Sequence, residues 1–391
     1  MQDTLRKQIL ADSIVLENEL LSPDADIWLT LNCTSLYPEP VTAAFTFVLK
    51  QGDDTRKIAL TEDVEPGPNA VEAVFSVKEA LYWLPNGAGE APVYEIMAGI
   101  EAEGEVQDVA NAYAALYELE IYENRIAING KALSGAVCIT EKPLSEISDA
   151  ELDEIKALGF CGILAEKTDS AAVRDKCAAR GLLVFENEIS PQVIRFPGGP
   201  SPKDCVRSAK EACGALARAL AEKETPGVYY AEAAGGVNRF FVKRALAPAG
   251  LFADGGSLWC YNRSFRDFAG ALETEDGTKT AFYLDPGETK GFPLSGHQGA
   301  VLRDKDGKEL ARVWLGEKSA SPKLFVSRFR ISPEEYRLAI AADGFAECVE
   351  IKTDTGVLSD NYFSLAPQES REIIISGCKK EPQLSCSAIE L

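Results

Sequence analysis

The sequence predicts a multidomain protein of β plus α/β class: an immunoglobulin-like β-sandwich, then a barrel-like α/β layer, then a C-terminal β-sandwich region. Three observations predict it. Period-two alternation runs from Ile27 to Val109, consecutive strand and helix units follow Asn129-Gly130, and alternation returns beyond Pro248. A chain of 391 residues has room for several domains, each burying its own core. The division expected is 1–122, 123–249 and 250–391.

In the first region, runs such as Trp28-Leu29-Thr30-Leu31 and Ala44 to Leu49 are separated by turn clusters such as Gln51-Gly52-Asp53-Asp54 and Glu65-Pro66-Gly67-Pro68-Asn69. Alternation bounded by Gly, Pro, Asn and Asp marks an antiparallel sandwich. After Asn129-Gly130 the period changes. Ala136-Val137-Cys138-Ile139 reads as a strand, and Ser148 to Leu158 as an amphipathic helix with a Ser cap and a Gly159 stop. Phe160 to Ala165 and Leu182 to Phe185 are further strands flanking a helix at Ser170 to Arg180. A long helix over Lys203 to Glu222 and a strand over Gly227 to Ala231 follow. Successive β-α units imply parallel pairing, here of about four strands. Beyond about Gly250, turn signals at Glu275-Asp276-Gly277, Asp285-Pro286-Gly287 and Asp304-Lys305-Asp306-Gly307 predict β-hairpins, and the tail from Gly377 is expected to fray.

A formal charge of −21 and an acidic balance of 61 Asp and Glu against 40 Lys and Arg exclude a phosphate backbone as a natural partner. No apolar run approaches the roughly 20 residues that span a bilayer, and Met1 to Leu21 lacks the form of a secretory signal, so a cytoplasmic protein without membrane contact is expected. Ten cysteines include no Cys-x-x-Cys pair and no nearby His, so neither a metal nor a cofactor is expected. Cys138, Cys161, Cys177, Cys205 and Cys213 fall in apolar patterns and read as small buried hydrophobes.

Three stretches carry a resemblance to a known family. Leu81-Tyr82-Trp83-Leu84-Pro85-Asn86-Gly87-Ala88-Gly89-Glu90-Ala91-Pro92-Val93-Tyr94 resembles the turn of the immunoglobulin-like domain in the β-mannosidase branch of glycoside hydrolase family 2. Ile128-Asn129-Gly130-Lys131-Ala132-Leu133 resembles the hairpin leading into that family's first barrel strand. Leu358-Ser359-Asp360-Asn361-Tyr362-Phe363-Ser364-Leu365-Ala366-Pro367 resembles its C-terminal ending. Gly227 to Tyr230 with Phe240 to Pro248 is similar to the last barrel strand and its exit. The resemblance implies a partial TIM barrel in which the third strand is followed almost directly by the eighth. Only about 118 residues separate Gly130 from Pro248, where eight β-α units need about 200 or more. It also implies that the missing middle of the barrel took with it the sections bearing the general acid/base and nucleophile glutamates, and that the N-terminal jelly-roll domain is missing as well.

Substitute acids exist. Glu166, Glu186, Glu188 and Glu232 follow the C-terminal ends of predicted strands, the edge where barrel enzymes place their sites. Glu186 and Glu188 would share a face about 6.6–6.8 Å apart on a continuing strand. A retaining pair needs about 5–5.5 Å and an inverting pair about 6.5–9.5 Å. The competing reading is of solvated acids in a chain rich in them. Tyr229, Tyr230 and Trp259, with Trp314, offer faces for sugar rings or for core packing, and Arg195 is either a cleft residue or a surface one. The resemblance implies a carbohydrate-associated, non-catalytic relative. The alternatives are an active β-glycosidase using the strand-end glutamates, or a scaffold for a separate catalytic chain. Open parallel edges call for docked sandwiches, a homodimer or a partner subunit.

Overall fold

The computed structural model describes residues 7–122, 125–140, 142–165, 171–186, 192–194, 201–221, 228–232, 237–254, 256–294, 296–316 and 322–389. Its first unit is an antiparallel sandwich. One sheet orders the strands Ile9–Leu21, Asp24–Ser35 and Gly67–Val77, and the other Asp54–Val64, Val41–Gln51, Tyr94–Ala102 and Glu105–Ala114. The alternation seen in sequence becomes alternating burial, with Ile27, Leu29 and Leu31 facing Phe45, Phe47, Ile96 and Ile100 in one core. The strand Ile9–Leu21 lies in a stretch that sequence alone showed only as mixed polar and apolar. As an edge strand it buries Ile9 but leaves Asp12, Glu17 and Glu19 exposed, so its period is blurred.

The hairpin of Arg125–Ile128 and Lys131–Ala132 turns at Asn129 (φ 52°) and Gly130 (φ 72°). Two residues of positive φ match the twist of a two-residue hairpin, which is why Asn-Gly stands there. The chain then enters a five-stranded parallel sheet ordered Leu183–Glu186, Gly162–Ala165, Gly135–Ile139, Val228–Glu232, Gln192–Ile194. The last of these is a fifth strand beyond the four expected. Among the described residues the sheet is open, with Leu183–Glu186 and Gln192–Ile194 at its edges. Its central strand is apolar without alternation because both faces are covered: Ala136, Val137 and Cys138 are all fully buried.

Helices α1 (Asp149–Ala157), α2 (Ala171–Ala178), α3 (Pro202–Ala221) and α4 (Val237–Ala245) complete this unit. One face of the sheet, through Ala136, Cys138 and Ile163, packs on Leu152, Val206, Leu216 and Val242. The opposite face, through Val137 and Phe185, packs on Trp83, Ile126 and Ile128 from the preceding segments. Helix α1 starts at a complete capping box, in which the Ser148 hydroxyl accepts the Glu151 N–H and the Glu151 carboxylate accepts the Ser148 N–H. It ends at Gly159, whose φ of 95° and approach to Leu246, where a Cβ would come within 2.8 Å, both require glycine.

The region after residue 249 holds two separate cores. Strands Ala249–Asp254, Ser257–Asn262 and Thr289–Pro293 face a sheet ordered Lys279–Leu284, Phe268–Thr274, Gly299–Asp304, Glu309–Trp314, around Leu258, Cys260, Leu272, Phe282 and Leu302. The last unit pairs Leu324–Ser332, Glu335–Ala342, Ser370–Ser376 and Val357–Leu358 with Phe363–Leu365, Ala346–Thr353 and Leu384–Ala388, around Leu338, Ile340, Val349 and Ile375. The expected fraying after Gly377 is corrected: Leu384–Ala388 is a strand paired with Val349–Thr353. A polar edge strand needs only backbone hydrogen bonds on one side, which composition does not reveal. All ten cysteines are reduced, with no disulfide among them. Cys138, Cys161, Cys177 and Cys213 are buried as expected, while Cys205 is only half-buried. No described helix is long and apolar enough to cross a membrane.

Candidate functional site

The strand ends named by the sequence lie at the carboxyl edge of the parallel sheet. Glu166, Glu188 and Arg195 fall outside the described residues, whereas Glu186 ends the strand Leu183–Glu186 and Tyr229, Tyr230 and Glu232 belong to Val228–Glu232. Glu232 is in register with Ile139, and Glu186 with Ala165. Because Ile139 is level with Leu164, Glu186 sits one residue further along than Glu232. Between these two strands lie Gly162–Ala165 and Gly135–Ile139. Three strand spacings separate their backbones by about 14 Å. Trp259 is elsewhere: it sits half-buried on the third unit's strand Ser257–Asn262, its ring against Gly291, where a Cβ would lie 3.1 Å from the indole.

The three motif stretches prove to be joints between units. At the opposite, amino edge of the sheet, the Trp83 Nε1 donates to Ala178 O at the end of α2 (2.8 Å), and its ring packs on Tyr117 with centroids 4.8 Å apart. Asn86 donates from Nδ2 to Lys156 O (2.8 Å) and Phe160 O (2.9 Å), and from its backbone N–H to Gly181 O (2.7 Å). The final carbonyls of a helix have no intrahelical donors, so one side chain on the sandwich closes the end of α1 and the entry to the next strand. Gly87 (φ 86°) gives the turn its reversal. Asn129 extends the joint, accepting the Glu118 N–H at 2.8 Å and donating to Trp83 O at 3.3 Å.

The C-terminal motif joins α4 to the last unit. Arg244 donates to the Asp360 carboxylate, to Asn361 O and to Tyr362 O. Buried Asn361 mimics a backbone partner, donating to Ile351 O (2.8 Å) and accepting the Ile351 N–H (2.7 Å). The Tyr362 ring lies near Phe240 and Phe241, and burial together with the Glu350 carboxylate pushes its phenol up to about 12. From Asp360 the contacts continue through Arg371 and Glu309 to Arg312 and Glu369. This series alternates in sign and touches α4, the third unit and the last unit. Burial pushes the Glu369 carboxyl up. Arg312 is held above its ordinary value by Glu309 and Glu369 even though burial opposes it.

A third joint buries Arg263 between α4's exit and the third unit. Its Nη2 donates to Ala247 O (2.6 Å), its backbone N–H donates to Pro248 O (2.7 Å), and its guanidinium lies over Tyr261. Burial lowers its pKa, and the nearby Cys161 thiol is pushed up to about 12 by its own burial. Such a thiol is a packing group, not a nucleophile. Among the described residues no group of three or more His, Cys, Asp and Glu is placed to hold a metal ion. Sequence reasoning did not single out Glu309, Arg312, Glu369 or Arg371: Glu309 and Arg312 are three residues apart, but the contacts that join units, Arg312 with Glu369 and Arg371 with Glu309, are distant in the chain and leave no local spacing signal.

Comparison with known proteins agrees with this architecture. Residues 320–385 match the Ig-fold domain family Ig_mannosidase. No curated protein sequence matches the chain. Among solved structures, the chain is similar to the exo-chitosanase CsxA of Amycolatopsis orientalis, with TM-score 0.71 and 11% identity over 97% of this chain and 78% of that one. It is also similar to the β-D-mannosidase of Dictyoglomus thermophilum, with TM-score 0.66 and 11% identity over 97% of this chain and 76% of that one. A β-glucuronidase from glycoside hydrolase family 2 aligns at TM-score 0.50 and 8% identity, over 97% of this chain and 63% of that one. Identities this low establish a shared fold, with a mannosidase-type Ig-fold domain at the C-terminal end.

Proposed function

We propose that the chain is a carbohydrate-associated, non-hydrolytic, β-mannosidase-like relative of the family 2 glycosidases, built on a reduced barrel. The order of the parallel sheet supports this. Gly135–Ile139, taken as a first barrel strand, pairs with Gly162–Ala165 on one side and with Val228–Glu232, the strand that resembles the eighth, on the other. These are the two neighbours a first strand has in a closed eight-stranded barrel. The segment left out is then the middle of the cylinder, where the family carries its reactive glutamates. Among the described residues only the short strand Gln192–Ile194 stands beyond Val228–Glu232.

The observation that carries the reading is this pairing order in so short a stretch: Gly135–Ile139 lies directly beside the strand that resembles the eighth, although about 118 residues from Gly130 to Pro248 fall short of the about 200 that eight β-α units need. The test is turnover of 4-nitrophenyl β-D-mannoside and related aryl β-glycosides by the purified chain, with no release above buffer expected. Turnover abolished by Glu186→Gln or Glu188→Gln would instead establish an active β-glycosidase that uses these acids. A second copy, or a separately encoded chain, would cover the edges at Leu183–Glu186 and Gln192–Ile194. Sedimentation equilibrium, alone and after co-purification, reads which.

A further inference from the structure

The last unit has an open edge. Strand Leu324–Ser332 pairs with Glu335–Ala342 on one side, and among the described residues no strand pairs with the other. Its regular pairing runs unbroken from Leu324 to Arg330 and shifts register only beyond that point. A free strand edge presents a row of unpaired backbone N–H and C=O groups, which folded proteins usually guard with charge, proline, a bulge or a covering segment. The long edge strand Ile9–Leu21 is guarded in this way, with Asp12, Glu17 and Glu19 exposed along it.

Leu324–Ser332 is not so guarded. It holds no carboxylate, in a chain of formal charge −21, and it leaves Phe325 55%, Phe329 49% and Val326 41% exposed. Its two guanidiniums, on Arg328 and Arg330, are drawn back over the Tyr336 ring of the neighbouring strand, each 6.0 Å from the centroid, and Arg328 is tied further to Glu381 and to Pro382 O. On the outer face Phe325 and Phe329 stand opposite Ala341 and Arg337. The facing sheet ends beside this strand in Leu384–Ala388, which also carries no charge.

The order of residues along the strand says what fits it. The midpoint of Leu324–Arg330 is Ser327, with Phe325 and Phe329 two residues to either side. An antiparallel copy of the same strand, related by a two-fold axis at Ser327, sets each Phe325 opposite the other copy's Phe329, Val326 opposite Arg328 and Leu324 opposite Arg330. No guanidinium then faces another. Moving the axis to Arg328 sets that residue against itself, moving it to Phe329 sets Arg328 against Arg330, and moving it to Val326 loses the aromatic pairs. Aromatic cross-strand pairs stabilise a sheet, and like charges directly opposite destabilise it. Two copies of so acidic a chain also meet with least repulsion where neither surface bears a carboxylate. We propose that a second copy of the chain docks here, the two Leu324–Arg330 strands pairing about Ser327 to join two last-unit sheets into one. The contact is isologous, so it closes at two copies. It lies apart from the edges at Leu183–Glu186 and Gln192–Ile194 and does not depend on whether the chain cleaves glycosides.

Sedimentation equilibrium of the full chain tests it, with a dimer of Kd about 10 μM or tighter expected. Phe325→Lys combined with Phe329→Lys sets like charges opposite at both aromatic pairs and should weaken the dimer at least about tenfold. Phe325→Glu combined with Phe329→Lys sets opposite charges there and should restore it, a result that only this register gives. Near-ultraviolet circular dichroism checks that both variants fold. A milder change reads the axis directly. Ser327→Cys, at an exposed position, brings two thiols together, because facing Cα atoms in an antiparallel pair lie about 4.5–5.5 Å apart, within the about 4.4–6.8 Å that a disulfide spans. Mild oxidation should therefore cross-link this variant into dimers, and leave the parent chain and Ala339→Cys, one strand inward on the same face, uncross-linked. A chain that stays monomeric at about 100 μM overturns the proposal. So does a dimer that survives the paired lysines and fails to cross-link at Ser327, which would place the contact at another edge.

Discussion

At the amino edge of the parallel sheet, Trp83 and Asn86 cross from the first sandwich and take up carbonyls at the ends of α1 and α2. At the carboxyl edge, Glu186 and Glu232 end strands separated by two others. The first edge holds motif residues that resemble the β-mannosidase branch, and the second holds the strand-end acids. The difference teaches that a recognisable motif can mark joinery instead of chemistry. Trp83, Asn86, Asn129, Asp360 and Asn361 each satisfy backbone groups or charges of another segment, a duty that does not depend on any substrate. Architecture of this kind persists wherever the units must still dock, whether or not a reaction remains.

That contrast breaks if the amino-edge joint is dispensable. Trp83→Ala empties a fully buried site and removes one of two donors to Ala178 O, which keeps the Gly181 N–H, so a loss of about 3–5 kcal/mol, mostly from the cavity, is expected in urea denaturation. A loss under about 1 kcal/mol would show the joint to be ornamental. Trp83→Phe, which keeps most of the ring and removes the N–H, should cost far less than the alanine. The C-terminal joint sharpens the comparison. Arg244→Leu removes one guanidinium from Asp360, Asn361 O and Tyr362 O, and about 2 kcal/mol is expected for charge-assisted bonds at a partly exposed site. Pairing it with Asp360→Asn in a double-mutant cycle should reveal coupling between the two changes.

The smallest effect concerns the cap of α1. Ser148→Ala should destabilise by about 1 kcal/mol. The Lys142 ammonium and the Ser148 backbone and hydroxyl hold the Glu151 carboxyl down from 4.5 to about 2. A carboxyl depressed in the folded state contributes stability that is fully present above its unfolded value and lost as pH falls through its folded one. The amide-exchange protection factors of α1, which divide out the intrinsic slowing of exchange in acid, should therefore fall between pH 4.5 and about 2 in the parent chain, and that pH dependence should flatten in Glu151→Gln.

Much of the fold was legible because its cues are local. Gly, Pro and Asn fix the Trp83 turn and the Asn129-Gly130 hairpin through backbone preference, and the Ser148 cap with Gly159 brackets α1 without reference to anything distant. The strands Ile9–Leu21 and Leu384–Ala388 were missed because edge strands are held by backbone bonds that leave little mark on side-chain pattern. The split of the C-terminal region into two cores was hidden too, since both halves share one alternation. Least legible were the ion pairs that join units. Arg312 meets Glu369 57 residues away, and Arg244 meets Asp360 across 116, separations at which no spacing rule operates.

The alternating series from Arg244 through Asp360, Arg371, Glu309 and Arg312 to Glu369 has a thermal consequence. Each cation in its interior is shared by two anions, and each interior anion by two cations, so heat that pulls one unit away uncovers unbalanced charge on its neighbours. The α/β unit and the two units that follow it are therefore expected to melt together, as a single calorimetric transition, and not as beads on a string.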